Sequence, residues 1–168
     1  METRVVSEGD KAVVLFGAGF NCAEAVLTVL SDRMRKLGRE CEGSVPCVAT
    51  GFGGGIGRSG GTCGALSGVI LAFGLMGKHE RAEDFEGKYR VYDLVEQLIG
   101  DFEREFGSSC CRDLIGMDLG VQEDRLRFRS DRVHDKVCSK FVRWCVDRGA
   151  RLLDQLREGG DSHPHART

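Results

Sequence analysis

The chain has 168 residues, of which 41% are hydrophobic and 30% charged, with a formal net charge of −2. That is enough chain for one domain with a real core, and it carries no basic footprint for nucleic acid and no polybasic membrane signal. Charges at Glu2, Arg4, Glu8, Asp10 and Lys11 break up the N-terminus, and the longest uncharged run, Ser59 to Gly77, opens on Gly, Ser and Thr. Neither reads as a secretory signal or a membrane span, so the expectation is a cytoplasmic protein.

In chain order, the first clear element is a helix over Asn21–Leu37. Ala23, Val26, Leu27, Leu30, Met34 and Leu37 recur at helical spacing, Asn21 and Glu24 form a capping box, and Gly38 is the stop. Residues 39–50 connect to a short helix near 45–53. After the glycine-rich stretch, "CGALSGVILAFGLMG" is apolar all round, which marks a buried helix. A long amphipathic helix is expected from about Arg81 to Phe106, with Phe85, Tyr89, Tyr92, Val95, Ile99, Phe102 and Phe106 as its buried stripe.

Gly107 ends that helix, and Ser108 or Ser109 caps a shorter one containing "CCRDLIG". A polar connector follows, in which "RLRFRSDR" (125–132) reads as a solvated loop. The last helix runs from Ser130–Asp131 to about Glu158, with Val133, Val137, Phe141, Trp144, Leu152 and Leu156 inward. No repeat and no long strand pattern is present. The expected architecture is a single-domain, all-α helical bundle over residues 1–158 around a buried glycine-rich central helix. Residues 159–168 read as a flexible tail, which holds His163 and His165. His79 and His134 read as surface residues without an evident catalytic partner.

The stretch "GFGGGIGRSGGTCGALSGVI" (51–70) invites comparison with a nucleotide loop. "GIGRSG" matches G-x-G-x-x-G, and Glu80 lies twenty residues beyond Gly60. A dinucleotide fold needs a strand before that loop and a helix of about three turns after it, yet only eight residues separate Gly60 from "VILAFGL". A P-loop fails because no Lys-Ser or Lys-Thr follows. The alternative is a helix start: Gly60 and Gly61 free the backbone, Thr62 caps, and Gly64, Ala65 and Gly68 give a small-residue face that a neighbouring helix or a cofactor can approach beside Cys63.

Eight cysteines in a reducing compartment point to metal, redox chemistry or inert burial. Cys22, Cys63 and the pair Cys110–Cys111 each sit at an expected helix start, where unpaired N–H groups and the helix dipole favour thiolate. Cys138 and Cys145 lie seven apart on the last helix, about 10 Å along its axis, so only one can join a shared site. No C-x-x-C occurs, which excludes a thioredoxin-like motif, a zinc knuckle and a ferredoxin run. Any joint action must come from tertiary folding. Burial as small hydrophobes is the preferred reading of Cys41, Cys47, Cys110 and Cys145; for Cys22, Cys63, Cys111 and Cys138 both readings stand.

These residues resemble the family named for its cysteine pattern, C-GCAxxG-C-C. The match comprises "FNCAEAVL" with Cys22, "GFGGGIGRSGGTCGALSG" with Cys63, "FGSSCCRDLIG" with Cys111 and "VCSKFVRWC" with Cys138, over about residues 12–155. The order Cys63-Gly64-Ala65 departs from the literal "GCA" of the label. The resemblance implies a small helical redox-active protein in which Cys22, Cys63, Cys111 and Cys138 are the active thiols, lined by Gly64, Ala65 and Gly68. Four thiolates suit an iron–sulfur cluster serving electron transfer to a partner protein. The alternatives are a metal-free dithiol–disulfide couple and a structural zinc or helical interaction module. Nucleic-acid binding and membrane insertion are not expected; a homodimer is, to cover the apolar helix.

Overall fold

The computed structural model describes residues 6–40, 45–77 and 79–160; Cys41, His163 and His165 lie outside them. Among the described residues every named element is helical, and together they form one all-α domain. The first, α1 (Glu8–Gly17), is not foreseen by the sequence patterning. Ser7 caps it by accepting a hydrogen bond from the Asp10 amide at 3.0 Å. Next, α2 (Cys22–Lys36) starts where expected: Asn21 Oδ1 accepts from the Ala23 and Glu24 amides, and Glu24 Oε2 accepts from the Asn21 amide at 2.8 Å. The cap is tied to the following 3₁₀ turn, Cys47–Phe52, because Asn21 Nδ2 donates to the Thr50 carbonyl and Thr50 Oγ1 donates to Glu24 Oε1.

The central helix α3 (Gly64–Gly77) is buried along most of its length by α2, α4 (Phe85–Phe106) and α7 (Ser139–Gly160). Its small residues explain the closeness of α2. A Cβ on Gly68 would stand 2.7 Å from the Ala23 carbonyl oxygen and 2.9 Å from Val26 Cβ. Gly149 of α7 serves in the same way, with Val69 Cγ1 only 2.8 Å from where its Cβ would be.

The expected stripe of α4 is corrected in its first half. Phe85, Tyr89 and Tyr92 are exposed (59%, 55% and 55%), and the inward face is Val91, Leu94, Val95, Leu98, Phe102 and Phe106. At 100° per residue, positions 85, 89 and 92 fall well off the line through 91, 94, 98 and 102. The spacing of three and four suggested burial, but a second line of residues with the same spacing faces the core, where Val91 packs close to Gly77. In the second half Ile99 is only half-buried and lies outside the core, whereas Phe102 and Phe106 face inward as expected and meet Phe141 and Trp144 of α7 in edge-to-face contacts with centroids 4.9–5.8 Å apart.

Two further corrections concern the second half of the chain. The short α5 (Cys111–Ile115) has Cys110 rather than a serine at its N-cap position, although Ser108 Oγ accepts from the Cys110 amide. The "RLRFRSDR" segment is not a solvated loop: most of it belongs to α6 (Gln122–Ser130). The last helix begins after Arg132 with one π-helical turn, His134–Cys138, before α7, which continues to Gly160. None of the helices among the described residues is long and apolar enough to cross a membrane. Arg33 of α2 joins the termini of the bundle, reaching Glu8 at 3.0 Å and Asp154 at 2.5 Å.

The two glycines of α3 give opposite expectations. Gly68→Ala should destabilise by about 1–3 kcal/mol, because the added methyl meets backbone. Gly74 has nothing within 4 Å of its would-be Cβ, so Gly74→Ala should stabilise by about 0.5–1 kcal/mol through helix propensity alone. Urea unfolding of both variants checks the pair; equal effects would contradict the close packing of α2 and α3.

Candidate functional site

A cavity of about 780 Å³ opens between the helix starts, and Cys22, Cys63, Cys111 and Cys138 all line it. They come from four separate places. Cys22 is the first residue of α2, Cys63 immediately precedes α3, Cys111 is the first of α5, and Cys138 closes the π-helical turn. Gly64 and Ala65 also line the cavity, whereas Gly68 faces α2 instead. Cys145, one turn pair further along α7, is fully buried below and is not a lining residue; Cys47 is exposed.

The meeting of Cys63 and Cys111 is set by backbone. Residues 60–63 and 109–112 form a short antiparallel bridge: the Cys63 amide donates to the Ser109 carbonyl at 2.8 Å, the Cys111 amide to Gly61 at 2.7 Å, and the Arg112 amide to Gly60 at 3.1 Å. Thr62 is thus a bridge residue rather than a helix cap. Within the bridge Cys110 and Cys111 point apart. Cys110 Sγ donates to the Gly60 carbonyl at 2.9 Å, leaving Cys111 to face the cavity.

The glycine stretch turns out to be a wall, not a phosphate loop. Gly54, Gly55, Ile56, Gly57 and Arg58 all have φ between +59° and +73°, a left-handed turn that glycine adopts freely and a β-branched residue rarely does. The turn brings Gly55 so close to the bridge that a Cβ there would stand 2.7 Å from Cys111 Cβ and from Gly61 backbone atoms. On the other side, a Cβ at Gly64 would overlap Cys22 Sγ and lie 2.7 Å from the Phe52 carbonyl oxygen. The glycines make room for sulfur.

Helix-start N–H groups do face the sulfurs. Gly54, Ala23 and Gly64 amides act on Cys22, and those of Ala65 and Leu66 on Cys63. The expectation that this favours thiolate is nevertheless corrected. Burial outweighs the amides and pushes the Cys22, Cys63 and Cys138 thiols up, and takes Cys111 up to about 12; neighbouring cysteines add to the rise at Cys63, Cys111 and Cys138, and Cys145 moves the same way. Without a counter-charge the thiols keep their protons at neutral pH.

Several lining residues escape the sequence reading. His134, expected on the surface, lines the cavity with its ring stacked on Phe16 at 3.6 Å between centroids, and its Nδ1 lies 3.1 Å from Asp135 Oδ1. His79, by contrast, does not line the cavity. Arg125, Phe128 and Arg129 reach the cavity from α6; their spacing of three and four was the signal that this segment is a helix with one face turned inward. Among the described residues, no group of three or more His, Cys, Asp and Glu side chains is placed to hold a single metal ion.

The family model whose description reads "Putative redox-active protein (C_GCAxxG_C_C)" matches residues 20–152, a span that holds all four cavity cysteines. The chain belongs to this redox-active family. No curated protein and no solved structure matches it.

The thiol shifts carry a sign. In reduced, metal-free protein the unfolded chain loses the Cys111 proton near its ordinary value of 9.0, while the folded chain keeps it until about 12. Above pH 9 the folded state therefore binds more protons, and its stability, fully present below that pH, falls as pH rises towards 12. Urea midpoints from pH 8 to 11 should fall more steeply for the native sequence than for Cys111→Ser. Parallel slopes would show that Cys111 is not held protonated by the fold.

Proposed function

We propose that the protein is an electron carrier in which Cys22, Cys63, Cys111 and Cys138 hold an iron–sulfur cluster, and that it exchanges electrons with a partner protein. The observation that supports this most is the delivery of four cysteines from four separate elements to one cavity. A single tetrahedral ion needs every sulfur about 2.3 Å from one point, and no such group occurs among the described residues. A cluster distributes its thiolate ligands over several irons, so it accepts sulfurs spaced more widely.

The donor set and its surroundings fit such a group. Gly55 and Gly64 sit where any Cβ would press on Cys111 or Cys22, and the amides facing Cys22 and Cys63 supply hydrogen bonds that stabilise coordinated thiolate and raise a reduction potential. A bound cluster supplies one-electron chemistry and the positive charge that deprotonates buried thiols. The protein's own part is to orient the four sulfurs and to shelter them from water with Phe16 and Phe141.

The raised thiols weigh against the dithiol alternative, because exchange proceeds through thiolate. Anaerobic purification decides between the two. Iron and acid-labile sulfide in equal amounts, with visible absorption, are expected from the native sequence. Cys63→Ser should lose them, and Cys145→Ala should keep them. Colourless protein that loses two thiols on mild oxidation would replace the cluster by the dithiol couple, and iron loss in Cys145→Ala would overturn the ligand set.

A further inference from the structure

We propose that the same cavity is a binding site for an amphiphilic organic anion, a molecule with an apolar body and a carboxylate, sulfonate or phosphate head, gripped by Arg58 and Arg129. In a chain of net charge −2, the lining of this cavity carries four arginines, Arg58, Arg125, Arg129 and Arg132, and one carboxylate, Asp135. Two of the four are engaged. Arg132 forks onto Asp135 at 2.7 and 2.9 Å, and Arg125 donates to the Leu119 and Gly120 carbonyls. Arg58 and Arg129 form no ion pair among the described residues, whereas Arg127 on another face of α6 pairs with Asp124. A guanidinium left without a partner beside a concave surface is suited to bidentate capture of an oxyanion.

Backbone supports the assignment of Arg58. It ends the left-handed turn at φ +68°, a conformation costing a non-glycine residue about 1–2 kcal/mol, in a turn otherwise made mostly of glycine. Apolar side chains form much of the remaining wall beside the polar Asn21, Thr50 and His134: Phe128 lies between Arg125 and Arg129 on α6, and Phe20, Leu114 and Leu119 continue it. A cavity of about 780 Å³ lies within the roughly 300–1,000 Å³ of small-molecule sites, which combine apolar walls with a few convergent polar groups. The positive rim also concentrates anions at the mouth. The site shares its cavity with the cysteines but rests on the arginines, so it holds whether or not the sulfurs bind a cluster.

The test uses the full chain after iron chelation and reduction. The probes are the fluorescent anion 8-anilinonaphthalene-1-sulfonate and its neutral analogue N-phenyl-1-naphthylamine. The native sequence should bind the anion at one site, at least tenfold more tightly than the neutral analogue, and the difference should shrink as salt rises. The double variant Arg58→Gln/Arg129→Gln should lose at least tenfold for the anion and little for the neutral probe, while Arg127→Gln changes neither. Circular dichroism and the thermal midpoint confirm that the double variant is folded, as its side chains break no ion pair. Displacement by decanoate identifies an aliphatic acid as the favoured class, and displacement by riboflavin 5′-phosphate an aromatic phosphate. Equal affinity of the native chain for both probes, or unchanged anion binding in a folded double variant, would overturn the proposal. Iron content is measured separately, so failure here leaves the cluster reading untouched.

Discussion

The structure hinges on the distance between α2 and the start of α3. Gly64 and Gly68 let the two backbones meet at contacts that any side chain would forbid, and the first of these contacts is with a sulfur. Packing and site are therefore one feature. The same approach that buries the central helix presses Cys22 against Gly64 and brings the 3₁₀ turn, fastened to the Asn21 cap, over both. The residues at this junction that would be called core by their burial are also those that shape the cavity.

Two electrostatic tendencies compete there. Burial drives the four thiols towards the neutral form, and the amides of two helix starts and the left-handed turn pull the other way without prevailing. The thiols of a site left in that balance are neutral at ordinary pH. Around it lies a rim of arginines. The sulfurs are largely buried, whereas Arg58, Arg129 and Arg132 are exposed, so sulfur and positive charge occupy different parts of one cavity.

Much of this was legible in the sequence because it was local. The Asn21–Glu24 box, the unbroken apolar run after Gly64 and the heptad separation of Cys138 and Cys145 each follow from helical geometry, and each has the expected consequence. What was illegible depends on partners in space. The aromatics of early α4 have the period of a buried stripe, but Phe85, Tyr89 and Tyr92 lie off the line that faces the core and stay exposed. The arginines of α6 look like surface charge until the cavity is seen beneath them. His134 needs Phe16, more than a hundred residues earlier, before its stacking can be known. The left-handed turn was hidden for a different reason, since Ile56 and Arg58 interrupt the glycines with residues that disfavour that conformation.

Finally, the sulfurs that meet in the cavity are spread from position 22 to position 138. No single stretch of the chain can therefore form the pocket, since segments from α2 to the π-helical turn must all be in place before its walls exist. Gathering the sulfurs is thus an event of the whole domain, completed only with its long-range packing.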